Sequence, residues 1–155
     1  GSGDIARVER SFSDMKDKFG GTHYAHQAGL LAAKSLQAQG KADAARAALK
    51  WVADGASDAA YRDIARLRLS ALLLDAGSND DALAQLALPF TPAMAGLAAD
   101  LRGDVLQAKG QKTEAVAAYQ TAWQQLTDSA DYRRVVEAKL NACGAKIVRK
   151  SGDEE

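Results

Sequence analysis

Three glycines constrain this chain more than any other feature. Gly40 and Gly77 stand 37 residues apart, Gly77 and Gly110 33 apart, and similar residues recur at fixed offsets around each. Ala33, Leu36, Ala45 and Leu49 surround the first, Ser70, Leu73, Ala82 and Leu86 the second, and Gly103, Leu106, Ala115 and Tyr119 the third. A period near 34 residues suits a helix-turn-helix unit, with a slightly longer connection around 54–58. A small residue in the middle of the first helix and an alanine early in the second allow close backbone approach, and glycine permits the tight turn between them. An Ala-rich bundle without repeats would need no such register.

The rest of the chain reads as helix. Ile5, Val8, Phe12, Met15 and Phe19 recur at steps of three and four, which predicts one apolar stripe on a helix ending at Gly20-Gly21. That stripe could cover the first hairpin or pair with another chain. Thr22 is the expected N-cap of a second helix running to Gln39, and a third spans about 41–54 before Gly55. The fourth, 58–76, is the most apolar, with Leu67, Leu69, Leu72, Leu73 and Leu74 on several faces. A short helix over about 79–88 stops before Pro89, and Thr91-Pro92 opens another that runs to Lys109. Helices over about 112–126 and 129–142 follow, the second as a C-terminal cap, and 145–155 reads as a polar, frayed tail. No alternating strand pattern competes. The expectation is therefore an all-α, α-solenoid-like fold of about three hairpins (23–55, 58–89, 92–127) with flanking helices, within one domain over 4–144.

Composition excludes several classes of function. The 155 residues carry 20 basic and 20 acidic side chains spread along the chain, so no field recruits nucleic acid or an anionic membrane. No apolar run approaches the roughly 18 residues that span a bilayer, which predicts a soluble chain. Gly1-Ser2-Gly3 reads as a cloning scar, leaving room for a targeting or anchoring segment upstream. The single Cys143 forms no internal disulfide and does not decide the compartment.

The pattern of small residues, glycine and alanine resembles the tetratricopeptide repeat. More narrowly, HYAHQAGLLAAKSLQAQGKADAARAAL (23–49), ARLRLSALLLDAG (65–77), ADLRGDVLQAKGQK (99–112) and AKLNACG (138–144) resemble the bacterial YfgM family, ancillary subunits of the SecYEG translocon. The similarity covers roughly 12–144, and Ala99–Asp104 followed by Lys109-Gly110 is its most specific part. The resemblance implies a periplasmic domain behind a single N-terminal transmembrane helix in the inner membrane. It also implies association with SecYEG and the periplasmic chaperone PpiD, in handing over unfolded exported polypeptides. The alternative is a general scaffold unrelated to secretion.

Repeat geometry places candidate protein-binding residues on the first helix of each hairpin. By register these are Gln27, Leu30, Lys34 and Gln37; Ile64, Leu67, Ala71 and Leu74; and Leu97, Asp100, Asp104 and Gln107. They predict an exposed groove, apolar in the middle and suited to an amphipathic helix or an unfolded segment. Leu67 and Leu74 could instead be covered by flanking helices. Gln27, Leu30 and Lys34 stand where a carboxylate clamp would need lysine and asparagine, so no such clamp is expected.

Few residues suggest chemistry. His23 and His26 lie one turn apart but have no carboxylate or cysteine nearby in sequence, so no metal is expected. Asp100 and Asp104 could form an acid-base pair, yet Arg102 and other nearby charges suit an ion-paired wall better. No phosphate loop or nucleophile motif is present, and the reading is an interaction module with no cofactor, no small-molecule substrate and no enzymatic activity. Trp51, Tyr61, Tyr119 and Trp123 are expected as packing residues, as is Cys143.

Overall fold

A computed structural model describes residues 2–127 and 129–148, apart from the side chains of Ser2 and Ile5. All regular structure among the described residues is helical: α1 (Ser2–Phe19), α2 (His23–Ala38), α3 (Ala42–Gly55), α4 (Ala59–Asp75), α5 (Asn79–Leu86), α6 (Pro92–Ala108), α7 (Lys112–Gln125) and α8 (Ala130–Ala142). The helices end within about two residues of where glycine, proline and capping residues placed them. Gly55 is the last residue of α3 rather than the residue beyond it.

The glycine turns are built alike. Gly40, Gly77 and Gly110 have φ of 73°, 73° and 74°, and Gly144 repeats the conformation at 71°. This is left-handed backbone, where a Cβ would be strained. At three of the turns the hydrogen bonds form a Schellman cap: Lys41 N–H donates to Leu36 O, Gln111 to Leu106 O and Ala145 to Leu140 O. Side chains do the capping at two helix starts. Thr22 accepts from Ala25 N–H at 3.2 Å, and Asp58 accepts from Ala60 N–H at 2.8 Å. Where α6 starts the backbone does it, with the Thr91 carbonyl accepting from Met94 and Ala95.

The chain divides into two compact units, Gly1–Ala76 and Gly77–Glu155. In the first, α2 and α3 form a hairpin, α4 packs against both, and α1 lies along α2. Its core gathers Leu30, Ala33 and Leu36 of α2, Ala45, Leu49 and Val52 of α3, and Ala65, Leu69 and Leu72 of α4. Val8 and Phe12 pack on that core, and Phe12 meets Trp51 edge-on with ring centroids 5.4 Å apart. Of its two expected roles, α1 therefore takes the covering one, although Phe19 remains 58% exposed. The Ile5 side chain of the stripe lies outside the described residues. Gly29 lets α1, α2 and α3 close together, since a Cβ there would come 2.6 Å from Val52 Cγ2.

In the second unit α6 and α7 form the closest hairpin, with α5 on α6 and α8 on α7. Its core joins Leu106 of α6, Ala115, Tyr119, Ala122 and Trp123 of α7, and Val136, Leu140 and Cys143 at α8. Gly103 is buried against the Tyr119 ring and has no room for a Cβ. The Arg133 guanidinium covers the Trp123 ring at 3.9 Å. Residues 145–148, expected within a frayed tail, are instead held: Ala145 and Ile147 pack on this core and Gln120 bonds the backbone of Val148. Residues 149–155 of that tail, like Gly1 of the supposed scar, lie outside the described residues.

Candidate functional site

The twelve candidate binding residues fall on α2, α4 and α6, at matching distances from the glycine turns. On α2, Gln27, Lys34 and Gln37 are exposed, but Leu30 is 7% exposed and belongs to the core. On α4, Ile64, Leu67, Ala71 and Leu74 are half-buried, and Ile64 packs on the core of the first unit. On α6, Leu97 and Asp104 are half-buried, Gln107 is exposed, and Asp100 is 2% exposed. The exposure expected of Leu30 and Asp100 is thus corrected. Both stand ten residues before their glycine, where the next first-type helix, α4 or α8, reaches the hairpin.

Around Asp100 the second unit builds a polar clasp. Asp100 and Asp104 sit one turn apart on α6. Lys139 of α8 donates to both oxygens of Asp100 at 2.9 Å and to Asp104 at 2.8 Å. Tyr132 of α8 donates to Asp100 at 2.8 Å, and Tyr119 of α7 donates to Asp104 at 2.8 Å. Two carboxylates therefore share one ammonium and two phenols, and the partner is Lys139 rather than the expected Arg102. A buried carboxylate satisfied this fully tolerates its desolvation.

The titration of the clasp follows from its contacts. Burial raises both phenols far above their ordinary range, with the Asp104 bond adding to the shift at Tyr119 and the Asp100 bond at Tyr132. Burial by itself would lower Lys139. The hydrogen bonds to Asp104 and Asp100 outweigh it, so the ammonium is held above its usual value. Both carboxylates are engaged in a structural contact with Lys139.

The two histidines do not converge. His23 is exposed, with Nδ1 3.7 Å from Asp58, whereas His26 is buried with its ring 5.0 Å from Trp51. Its Nε2 meets no hydrogen-bonding partner among the described residues. Burial, and then the neighbouring His23, push the His26 pKa down. No group of three or more potential ligands to a metal occurs among the described residues.

Exposed apolar side chains mark one further face, which groove reasoning missed. Tyr24 is 82% and Leu31 63% exposed on α2, and Tyr24 lies beside Phe19 of α1. Shallow depressions between α1 and α2 are lined by Met15, Phe19 and Tyr24 at one end and by Val8, Ala28 and Leu31 at the other. The signal was present in the sequence as two consecutive leucines, Leu30 and Leu31, of which only one can face the core. No helix among the described residues is long and apolar enough to cross a membrane.

Paired helices joined by left-handed glycine turns, repeated at a period near 34 residues, define the class of helical-repeat proteins whose members bind other proteins. The model of the tetratricopeptide repeat-like domain family matches residues 1–145, and the chain belongs to that family. No curated protein matches the sequence.

Proposed function

We propose that this interaction module is the periplasmic part of a membrane-anchored ancillary subunit of the SecYEG translocon. In this reading it links the channel to the chaperone PpiD and assists the passage of unfolded exported polypeptides. The module class rests on the fold and the family. The translocon assignment rests on the resemblance over 12–144 to the YfgM family, above all on the segment Ala99–Asp104. The observation that carries binding itself is the run of Ile64, Leu67, Ala71 and Leu74 on α4, apolar and half-buried at the register where repeat proteins meet their ligands. The three polar residues exposed at the same register of α2 suit the solvated end of such a contact.

In-cell photo-crosslinking of the full-length protein tests it, with the probe at Leu67 and a control at exposed Arg68 of the same helix. Adducts to translocon subunits, PpiD or exported chains are expected from Leu67 and not from Arg68. Adducts only to unrelated soluble proteins would replace the translocon reading with a general scaffold.

A further inference from the structure

Beyond the clasp, the second unit holds a non-helical stretch of its own chain in a way that reads as peptide recognition. After the first-type helices α2 and α6, the glycine turns at Gly40 and Gly110 lead into a second helix, α3 or α7. Gly144 follows α8 with the same left-handed turn and the same cap, yet residues 145–148 beyond it form no further helix. The exposure of residues 145–148 alternates: Ala145 and Ile147 are half-buried on the α7–α8 core, whereas Lys146 and Val148 are exposed. Period-two burial is the signature of a strand laid on a surface.

The hydrogen bonding points the same way. The Gln120 side chain donates through Nε2 to Val148 O at 2.7 Å and accepts from Val148 N–H at Oε1, 3.1 Å away. One amide thus pairs with both backbone groups of one residue, as a neighbouring strand would. The Val148 side chain is 63% exposed, so the contact reads backbone and ignores side-chain identity at that position. Selection falls on the two inward positions, one small and one branched apolar.

We infer that the α7–α8 face is a docking site for extended polypeptide segments of the pattern small, any, branched apolar, any, and that residues 145–148 occupy it in cis. This depends on the interaction-module class and not on the translocon assignment. A tethered occupant acts at an effective concentration on the order of millimolar, so an outside segment binds appreciably only when the cis segment is released.

The test uses the full chain and a fluorescein-labelled peptide, GAKIVRKSG, corresponding to residues 144–152, with binding read by fluorescence anisotropy. Ile147→Glu in the protein frees the face and should strengthen peptide binding at least tenfold over the unaltered chain. Adding Gln120→Ala to that protein should reverse the gain, as should an N-methyl group on the peptide valine, which removes only the backbone donor. Circular dichroism confirms that both variants keep their helices. Equal binding by the unaltered and Ile147→Glu chains, or indifference to Gln120→Ala and to N-methylation, would reduce 145–148 to ordinary terminal packing and overturn the inference. Failure to bind peptide together with new concentration-dependent dimerisation of Ile147→Glu would overturn it too, assigning the face to a second copy.

Discussion

The two units solve the same packing problem with opposite chemistry. In the first, Leu30 stands ten residues before its glycine turn, and Ala65 and Leu72 stand twelve and five residues before Gly77. All three belong to one apolar core. At the same offsets the second unit has Asp100, Tyr132 and Lys139, which form the clasp. An apolar contact gains by removing surface from water and tolerates imperfect geometry. A buried ion pair gives back most of its Coulomb energy as desolvation, but breaking half of it is costly. The second unit therefore has a specified arrangement of α8 on the hairpin where the first has a forgiving one.

The sharpest way to break this comparison is Lys139→Met. It leaves Asp100 buried beside Asp104 without its cation, and should destabilise the second unit by about 3 to 5 kcal/mol. Hydrogen exchange followed by mass spectrometry should show peptides of 92–142 losing protection while those of 23–75 keep theirs. Equal loss in both units would mean that the clasp is not a local device. The multiple variant Asp100→Leu, Asp104→Asn, Tyr132→Phe and Lys139→Leu removes both carboxylates, their shared cation and the phenol that would lose its acceptor, and so writes the apolar chemistry of the first unit into the second. By the same reasoning it should be neutral or stabilising by roughly 1 to 4 kcal/mol in urea unfolding, and a loss as large as that of Lys139→Met would refute the equivalence.

Gly103→Ala drives a methyl group into the Tyr119 ring, which Asp104 holds in place, and should cost about 2 to 3 kcal/mol in urea unfolding. Tyr132→Phe removes one donor from a buried carboxylate while keeping the ring, for an expected loss of about 1.5 to 2 kcal/mol in thermal melts. If Tyr132→Phe were silent, the phenol would be a bystander to the Lys139 pair.

The smallest effect is a divergence in pH response. His26 has a lowered pKa in the folded state, so its neutral form is favoured there; the associated stability is present above 6.5 and lost as pH falls below it. Lys139, Tyr119 and Tyr132 have raised values. Their contribution is present below the unfolded values of 10.5 and 10.0 and is lost as pH rises beyond them. Urea midpoints read from Trp51 in a Trp123→Phe chain should fall on the acid side. Those read from Trp123 in a Trp51→Phe chain should fall on the alkaline side. His26→Phe should flatten the acid limb, and an acid limb unchanged by that substitution would remove the histidine from the account.

The amino-acid sequence alone determined the helices, their ends and the repeat register. These depend on local rules: glycine where φ is positive at 40, 77 and 110, threonine at the start of α2, proline in the first turn of α6, and apolar residues every three or four positions. It also singled out Asp100 and Asp104 as a pair one turn apart, and half-buried Trp51 and buried Trp123 as packing residues. Only the tertiary structure decided what the pair does. Its cation lies 39 and 35 residues away on α8, and its phenols lie on two different helices. No periodicity links residues at such separations, because the link is made by packing. Leu30 was misplaced for the same reason, its burial being imposed by α4 and not by its own helix. The contact between Gln120 and Val148, 28 residues apart, is a further case. Local spacing specifies elements, whereas the pairing of a charge, an amide or a backbone segment with its partner exists only once those elements are packed.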